Sequence, residues 1–348
     1  MAEREVEEKV SLIVTGASGF LGGRLCHALV GQGTFHVKAL VRRSSSLKEL
    51  PLSEVEIVYG DITDPSSLFA AFQGCVAVFH CAALVTPWTP HTSRLFKVNV
   101  DGLKNVVNAV RGTPSIKRLV YVSSFFALGP TSGKVADESQ VHKGVSFCTE
   151  YEKSKVLADA FALEQARNGL PIVLVYPGVI YGHGSVTEGN SLVPLFQDRC
   201  NGRLPGKIGR GQDRFSFCHV DDVATGCVAA MTRGQVGERY ILAGENASFN
   251  ELLSLVDSLR GRKSLQLQIP LWLLTIVGWL QVFWARLTGC TPRISYPMVR
   301  VLGKQWCYSS EKAKKELDYE SRSLKEGVAQ VLSWMEMSGL LSRLRKDA

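Results

Sequence analysis

Over the first half of the chain, apolar residues come in short unbroken runs separated by amphipathic stretches. The runs at 10–14, 35–41, 55–59, 76–79, 117–122 and 172–176 are rich in Val, Ile, Leu and Phe and have strand length. Helical periodicity fills the intervals at 20–32, where Gly33 stops the pattern, and at 66–72, 93–111 and 150–168. Strands that lack polar alternation, each followed by a helix, predict a parallel sheet covered on both faces, an α/β fold. Past about residue 183 the alternation loosens. Gly182-His-Gly184 and Gly202-Arg-Leu-Pro-Gly206 mark loops, 238–242 reads as a late strand and 249–259 as a helix. The expected division is a sheet domain over 9–182 and a smaller lobe over 183–340. The two interleave across a soft boundary, with the lobe over the carboxyl edge of the sheet, where α/β proteins bind ligands.

The turn after the first strand reads Thr15-Gly-Ala-Ser-Gly-Phe-Leu-Gly22. Gly16, Gly19 and Gly22 follow a strand and open a helix, the context in which a tight turn and free N–H groups at a positive helix end hold a phosphate. Gly16, Gly19, Phe20, Leu21 and Gly22 are therefore candidate dinucleotide-binding residues, although the spacing is G-x-x-G-x-x-G and a glycine triplet alone is also a common turn. The second strand chooses between cofactors. No acid lies between Thr34 and Lys48, whereas Arg42 and Arg43 close that strand. An acid there would bind a ribose 2′-hydroxyl and an arginine a 2′-phosphate, so NADP is favoured over NAD. Solvent-facing arginines in an NAD protein are the alternative. Asp61-Ile62 follows the third strand, where a carboxylate could accept from an adenine amino group or simply form a turn. His80-Cys-Ala-Ala83 ends the fourth strand, and small Cys81, Ala82 and Ala83 suit a backbone packed against a cofactor; Cys81 reads as a space-filler.

Tyr151-Glu-Lys-Ser-Lys155 puts a phenol and an ammonium one helical turn apart on a shared face. A free tyrosine is a poor base at neutral pH, and a neighbouring ammonium together with a positive nicotinamide would lower its pKa. Such a phenol can take a proton from an alcohol as hydride leaves, or return one to a carbonyl. The ammonium offers three donors to ribose hydroxyls. Ser123-Ser124 ends the fifth strand, where a hydroxyl can orient the reacting oxygen. Taken alone, the pair reads as an ordinary exposed helix pair; behind a glycine turn and a strand-end Ser-Ser it reads as catalytic machinery.

These motifs, with Tyr121-Val-Ser-Ser124, Tyr176-Pro-Gly-Val179, Phe217-Cys-His-Val-Asp-Asp-Val-Ala224 and Tyr240-Ile-Leu-Ala-Gly-Glu-Asn246, resemble the extended short-chain dehydrogenase/reductase superfamily over nearly the whole chain. Within it the chain looks most like the 3β-hydroxysteroid dehydrogenase and dihydroflavonol-reductase-like branch, and is similar to the plant farnesol dehydrogenases. The resemblance implies a Rossmann-type doubly wound parallel sheet with a smaller C-terminal substrate-binding lobe. It also implies Tyr151 as proton donor and acceptor, Lys155 as its partner and Ser124 as the substrate-orienting hydroxyl. Pro177, Gly178 and Val179 would line the nicotinamide amide, Asn99 would brace the active site, and His219-Val-Asp-Asp222 would be structural. Two departures weaken a sugar-nucleotide reading: Tyr176 stands where epimerases usually carry arginine before proline, and Phe215, with Arg214 one place off, stands where they tend to hold the diphosphate.

A net charge of +8 raises nucleic acid or a membrane as partners, but the basic residues are scattered apart from Arg42-Arg43 and Arg343-Leu-Arg-Lys346, and no nucleic-acid footprint results. Nine cysteines without a Cys-x-x-Cys pair or a Cys/His cluster give no disulfide framework and no metal site, which suits a cytoplasmic protein. The charged N-terminus is neither a signal nor a transit peptide. Residues 264–285 carry no charge and three tryptophans, interrupted by Gln266, Gln268 and Gln281, with a helix expected from Pro270. The order of readings is a substrate-lobe helix, then an interfacial membrane helix facing the endoplasmic reticulum, then a true span. An apolar lid of this kind suits a lipophilic substrate such as an isoprenoid alcohol, a steroid or a phenolic. The expected function is an NAD(P)-dependent oxidoreductase acting on CH–OH groups. A nucleotide-sugar epimerase or dehydratase and a non-catalytic dinucleotide sensor are the alternatives, and a homodimer is left open.

Overall fold

The computed structural model describes residues 9–204, 206–262 and 267–342. The Arg343–Lys346 cluster, the N-terminal eight residues and the start of the apolar segment at Ser264–Gln266 lie outside the described residues. Twelve strands are present among those described: β1 (Val10–Thr15), β2 (Phe35–Val41), β3 (Val55–Tyr59), β4 (Ala77–His80), β5 (Arg118–Val122), β6 (Ile172–Pro177), β7 (Val179–Tyr181), β8 (Lys207–Ile208), β9 (Arg214–His219), β10 (Arg239–Leu242), β11 (Glu245–Ser248) and β12 (Gln268–Ile269). Seven form one sheet in the order β10-β6-β5-β4-β1-β2-β3, with all neighbours parallel. The apolar runs are apolar because both faces are covered: Leu12, Ile13, Val14, Val78, Phe79, Leu119 and Val120 are all fully buried. This is a Rossmann-type α/β fold.

Strand order reverses between β1 and β4, which opens a crevice at their carboxyl ends. The glycine turn after β1 and the small residues after β4 meet there. Gly16 takes φ +69°, and a β-carbon on it would lie 2.7 Å from the backbone of Ala82. A side chain at Gly16 would thus be strained and would also wedge apart the two loops that form the crevice.

The late strand β10 joins the edge of the main sheet beside β6, so chain from the second half completes the first half's sheet. A three-stranded sheet, β11-β9-β7, and a short β12-β8 pair form the lobe beside it. A buried ion pair holds the lobe's helices Leu192–Cys200 and Phe249–Leu259 together: Arg199 Nε donates to Asp257 Oδ1 at 2.9 Å. His219 caps the helix Val220–Thr232, Asp221 accepts from Arg24 at 2.7 Å, and Asp222 accepts from Arg322 at 2.7 Å.

The helix expected at 93–111 is broken. Thr92–Phe96 and Gly102–Arg111 are α-helical, and Lys97–Asp101 between them is a wide π turn. Periodicity cannot reveal one extra residue per turn, and such turns re-aim side chains inward. Here the turn buries Asn99. Its Nδ2 donates to the Leu84 carbonyl and to Ser154 Oγ, both at 3.0 Å, and its Oδ1 accepts from the Leu84 amide at 2.8 Å. Asn99 thereby ties the loop after β4 to the helix that carries Tyr151 and Lys155.

Candidate active site

The crevice divides into two connected hollows. One, of about 640 Å³, is lined by the glycine turn, Cys81, Ala83, Ser124, Tyr151, Lys155, Pro177, Gly178 and Val179. The other, of about 500 Å³, runs toward β2 and β3 past Arg42, Asp61, Ile62 and Ala82. They share Gly16, Gly19, Arg42, Cys81 and Ala83 on a common wall, which makes one trough across β1 and β4. Seventeen of the eighteen candidate residues border it; Arg43 does not.

The glycine turn fits a dinucleotide. The helix Phe20–Val30 starts at Gly19 with no side-chain cap and no acid in its first turn, so its leading N–H groups face the trough without a protein anion. A β-carbon on Gly22 would collide with the Gly16 carbonyl oxygen, which explains the third glycine as a packing requirement of the turn.

At the β2 end the two arginines part company. Arg42 lines the trough beside Ser44, Ser45 and Ser46. Arg43 points away and lies 4.9 Å over the Tyr59 ring. Arg43 lies in the turn that the Ser45 amide closes on the Arg42 carbonyl at 2.9 Å, so its side chain leaves in a different direction from that of Arg42. Arg94 and Lys97, from the broken helix, also border this half. Sequence reasoning missed both, because a surface helix cation carries no sign of where it points. Asp61 is partly engaged by its own turn: Oδ1 accepts from the Thr63 amide and hydroxyl, both at 2.8 Å.

Tyr151 and Lys155 are both buried on the helix Glu150–Arg167. Thr149 caps that helix, its side chain accepting from the Glu152 amide at 2.9 Å. Burial pushes the Tyr151 phenol above its usual range, and a hydrogen bond with Ser124 pulls the other way. In the free protein desolvation outweighs that hydrogen bond, and Tyr151 keeps its proton; the lowering expected from a positive nicotinamide concerns the cofactor-bound state. Burial lowers Lys155 to about 8, against the opposing pull of Asp159 and Cys81. Its Nζ donates to the Val122 carbonyl at 3.2 Å and sits 5.6 Å over the Tyr121 ring.

Asp159 is a further residue the sequence reading missed. It follows Lys155 by four residues, continuing the 151–155 face by one turn, which was the available signal. Buried, it accepts from Ser123 Oγ at 2.7 Å and Tyr176 Oη at 3.1 Å, and burial raises it to about 6. The Ser-Ser pair therefore splits. Ser123 anchors to Asp159, while Ser124 stays at the trough, where it also caps the short helix Phe125–Leu128 through the Phe126 amide at 3.2 Å. Cys81 is pushed by burial to about 12, so it is a thiol and a spacer, and His80 is held neutral, at about 3, with Nδ1 2.8 Å from Thr15 Oγ1.

Around Tyr151 the walls are apolar: Leu84, Val85, Phe125, Phe126 and Ile180, with Phe126 edge-on to the phenol ring at 5.7 Å between centroids. The helix Leu271–Thr288, which starts after Pro270 as expected, lends no residue to these walls among the described residues. Its apolar face turns outward instead of down onto the trough, so it is not the substrate lid that composition suggested. Phe215 is buried in β9, and Arg214 beside it is exposed and lies 3.6 Å from Glu251.

A parallel sheet with a phosphate turn at its switch point and a Tyr–Lys pair beside it defines a dinucleotide-dependent oxidoreductase. The chain belongs to the NAD dependent epimerase/dehydratase family, whose model matches residues 12–243, in the extended short-chain dehydrogenase branch that holds the 3β-hydroxysteroid dehydrogenase and dihydroflavonol-reductase-like enzymes. It is 31% identical over 333 residues to a putative dihydroflavonol 4-reductase of Synechocystis, covering 94% of each chain. It is 28% identical over 337 residues to sterol demethylase protein B of Methylococcus capsulatus, covering 95% of this chain and all (100%) of that one. The crystal structure of gox2253 superposes with a TM-score of 0.82 at 30% identity, covering 96% of this chain and 100% of the other.

Proposed function

We propose that the protein interconverts a hydroxyl and a carbonyl on a hydrophobic substrate, with proton transfer through Tyr151 and NADP as the preferred cofactor. One observation carries this reading: Tyr151, Lys155 and Ser124 converge in the trough of the glycine turn, against walls of Leu84, Val85, Phe126 and Ile180. When bound, the nicotinamide supplies or accepts the hydride.

Tyr151 Oη holds the proton. Burial keeps it there, which suits donation to a carbonyl oxygen that gains negative charge during reduction. Ser124 Oγ orients the same oxygen, and the Ser124–Tyr151 hydrogen bond keeps the two hydroxyls convergent. Lys155, largely charged at neutral pH, stabilises the phenolate left behind and offers its remaining donors to ribose hydroxyls. Asn99 and Asp159 fix the helix and the lysine from behind.

NADP preference rests on Arg42 together with the Ser44–Ser46 hydroxyls and the absence of an acid at the end of β2. A lipophilic substrate, such as an isoprenoid alcohol, sterol or phenolic, is supported by the apolar walls and by relatives named for flavonoid and sterol chemistry. The buried Phe215 and the outward Arg214 count against a sugar diphosphate in the same place. A screen reading nicotinamide absorbance, with farnesol-like alcohols, sterols and UDP-sugars side by side under each cofactor, tests this. Turnover confined to lipophilic compounds is expected; turnover of sugar nucleotides alone overturns the proposal.

A further inference from the structure

The helix Leu271–Thr288 is 18 residues long, has a mean hydropathy of 1.3, and keeps only 17% of its residues buried. Trp272 is 65% exposed, Leu280 64%, Phe283 62%, Trp284 63% and Leu287 66%. Isolated exposed apolar residues are normal, but five large ones on one helix form a continuous surface that water does not stabilise. From the trough's chemistry nothing requires it.

The stretch of chain that carries the helix is basic. Between Asp257 and Glu311 the sequence holds seven basic residues and not one acidic residue. Four of these, Arg286, Arg293, Arg300 and Lys304, are exposed, and among the described residues none of the four is in an ion pair. Arg293 lines a hollow of about 500 Å³ with Phe283, Trp284 and Cys290, so a cation stands at the rim of the apolar face. Exposed tryptophan, leucine and phenylalanine edged by unpaired arginines is the composition of a surface that rests in the headgroup layer of an anionic bilayer.

The packing shows why the helix would lie flat rather than span. Its midpoint, Gly278, is pressed against the backbone of Tyr296, where a β-carbon would come within 2.7 Å, and Trp279 stacks on the Tyr296 ring at 4.3 Å. Val282 and Ala285 are buried on the same side. A helix held by one side, at Gly278, Val282 and Ala285, against the protein cannot be surrounded by lipid. The helix Tyr296–Leu302 also leads back to the catalytic wall: the Val301 carbonyl holds Trp306 Nε1 at 3.1 Å, and Trp306 packs edge-on against Phe126, which contacts Tyr151.

We infer that Leu271–Thr288 with its arginine rim is a membrane-docking face that seats the protein in the plane of an anionic lipid surface. Apolar contact supplies the binding and the cations choose the lipid. The inference is independent of which substrate the trough takes.

Sedimentation with phosphatidylcholine vesicles, with and without phosphatidylserine, tests it on the full chain. Wild-type protein is expected to bind the phosphatidylserine vesicles, with tryptophan emission moving to shorter wavelength, and to bind neutral vesicles far less. Removing two cations by Arg286→Gln and Arg293→Gln should weaken binding by roughly fivefold each, about 25-fold together. A triple Leu280→Ser, Phe283→Ser, Trp284→Ser variant should no longer sediment while keeping its dinucleotide affinity, which shows it is folded. Failure of the wild type to bind either vesicle overturns the inference. Equal sedimentation by the triple variant overturns it too. So does a stable dimer that buries these residues and that the triple variant dissolves into monomers, since the face would then belong to a second copy.

Discussion

Replacing Asp159 with asparagine isolates what the buried carboxylate does for Lys155. The two lie one helical turn apart, about 6 Å between β-carbons. At an effective dielectric constant of about 20, two unit charges at that separation attract by about 3 kcal/mol, equivalent to roughly two pH units. Asp159, at about 6, is ionised wherever Lys155, at about 8, titrates, so the attraction is present in the relevant range. Asparagine preserves the shape and can still accept from Ser123, but the charge is gone. Burial then depresses Lys155 with less opposition, and the lysine loses its proton at lower pH. Activity that needs the ammonium is present below the lysine's pKa and lost as pH rises through it. The alkaline limb of kcat/KM should therefore begin near pH 8 in the wild type and move about one to two pH units toward acid in the variant. The profile is measured with saturating cofactor, and circular dichroism checks the fold. An alkaline limb at the same pH in both proteins would refute the reasoning.

Other expectations follow from single contacts. Arg42→Gln should lower NADP affinity by about ten- to a hundredfold, the loss of one or two charge-assisted hydrogen bonds, with NAD little affected, whereas Arg43→Gln should change neither. A comparable loss in the Arg43 variant would undo the assignment of Arg42 alone. Gly22→Ala drives a methyl into the Gly16 carbonyl and should cost about 1–3 kcal/mol of stability together with dinucleotide binding, read by denaturant unfolding and by titration. Arg199→Ala leaves Asp257 charged and buried in the lobe, and should destabilise the fold by about 3–5 kcal/mol; a loss under about 1 kcal/mol would show that water replaces the guanidinium. Between about pH 8 and the ordinary lysine value of 10.5, Lys155 is deprotonated in the folded protein and still protonated in the unfolded one, so its burial penalty is relieved and this group should make stability rise across that window.

The sheet was legible because its strands are buried on both faces, which leaves unbroken apolar runs, and because a parallel sheet forces a helix between each pair. The glycine turn was legible for a related reason: Gly16 and Gly22 answer steric demands that other residues cannot meet. Side-chain direction was not legible. Arg42 and Arg43 are indistinguishable as letters, yet one borders the trough and the other covers Tyr59. The π turn at Lys97–Asp101 hid within an apparently continuous helix. Asp159 could have been found by extending the Tyr151–Lys155 spacing by one turn. The direction of the Tyr151 shift needed burial, a property of the folded chain. Composition of the apolar segment gave the helix, but only packing at Gly278 and Tyr296 tells which side faces out.

The account turns on Tyr151 as the proton carrier, and Tyr151→Phe tests that most directly, with cofactor titration and turnover measured on the same preparation. Phenylalanine keeps the ring against Phe126 and removes only the hydroxyl. The account predicts dinucleotide binding close to wild type and a fall in kcat of about a hundredfold to ten-thousandfold. Turnover at the wild-type rate with binding unchanged would contradict it.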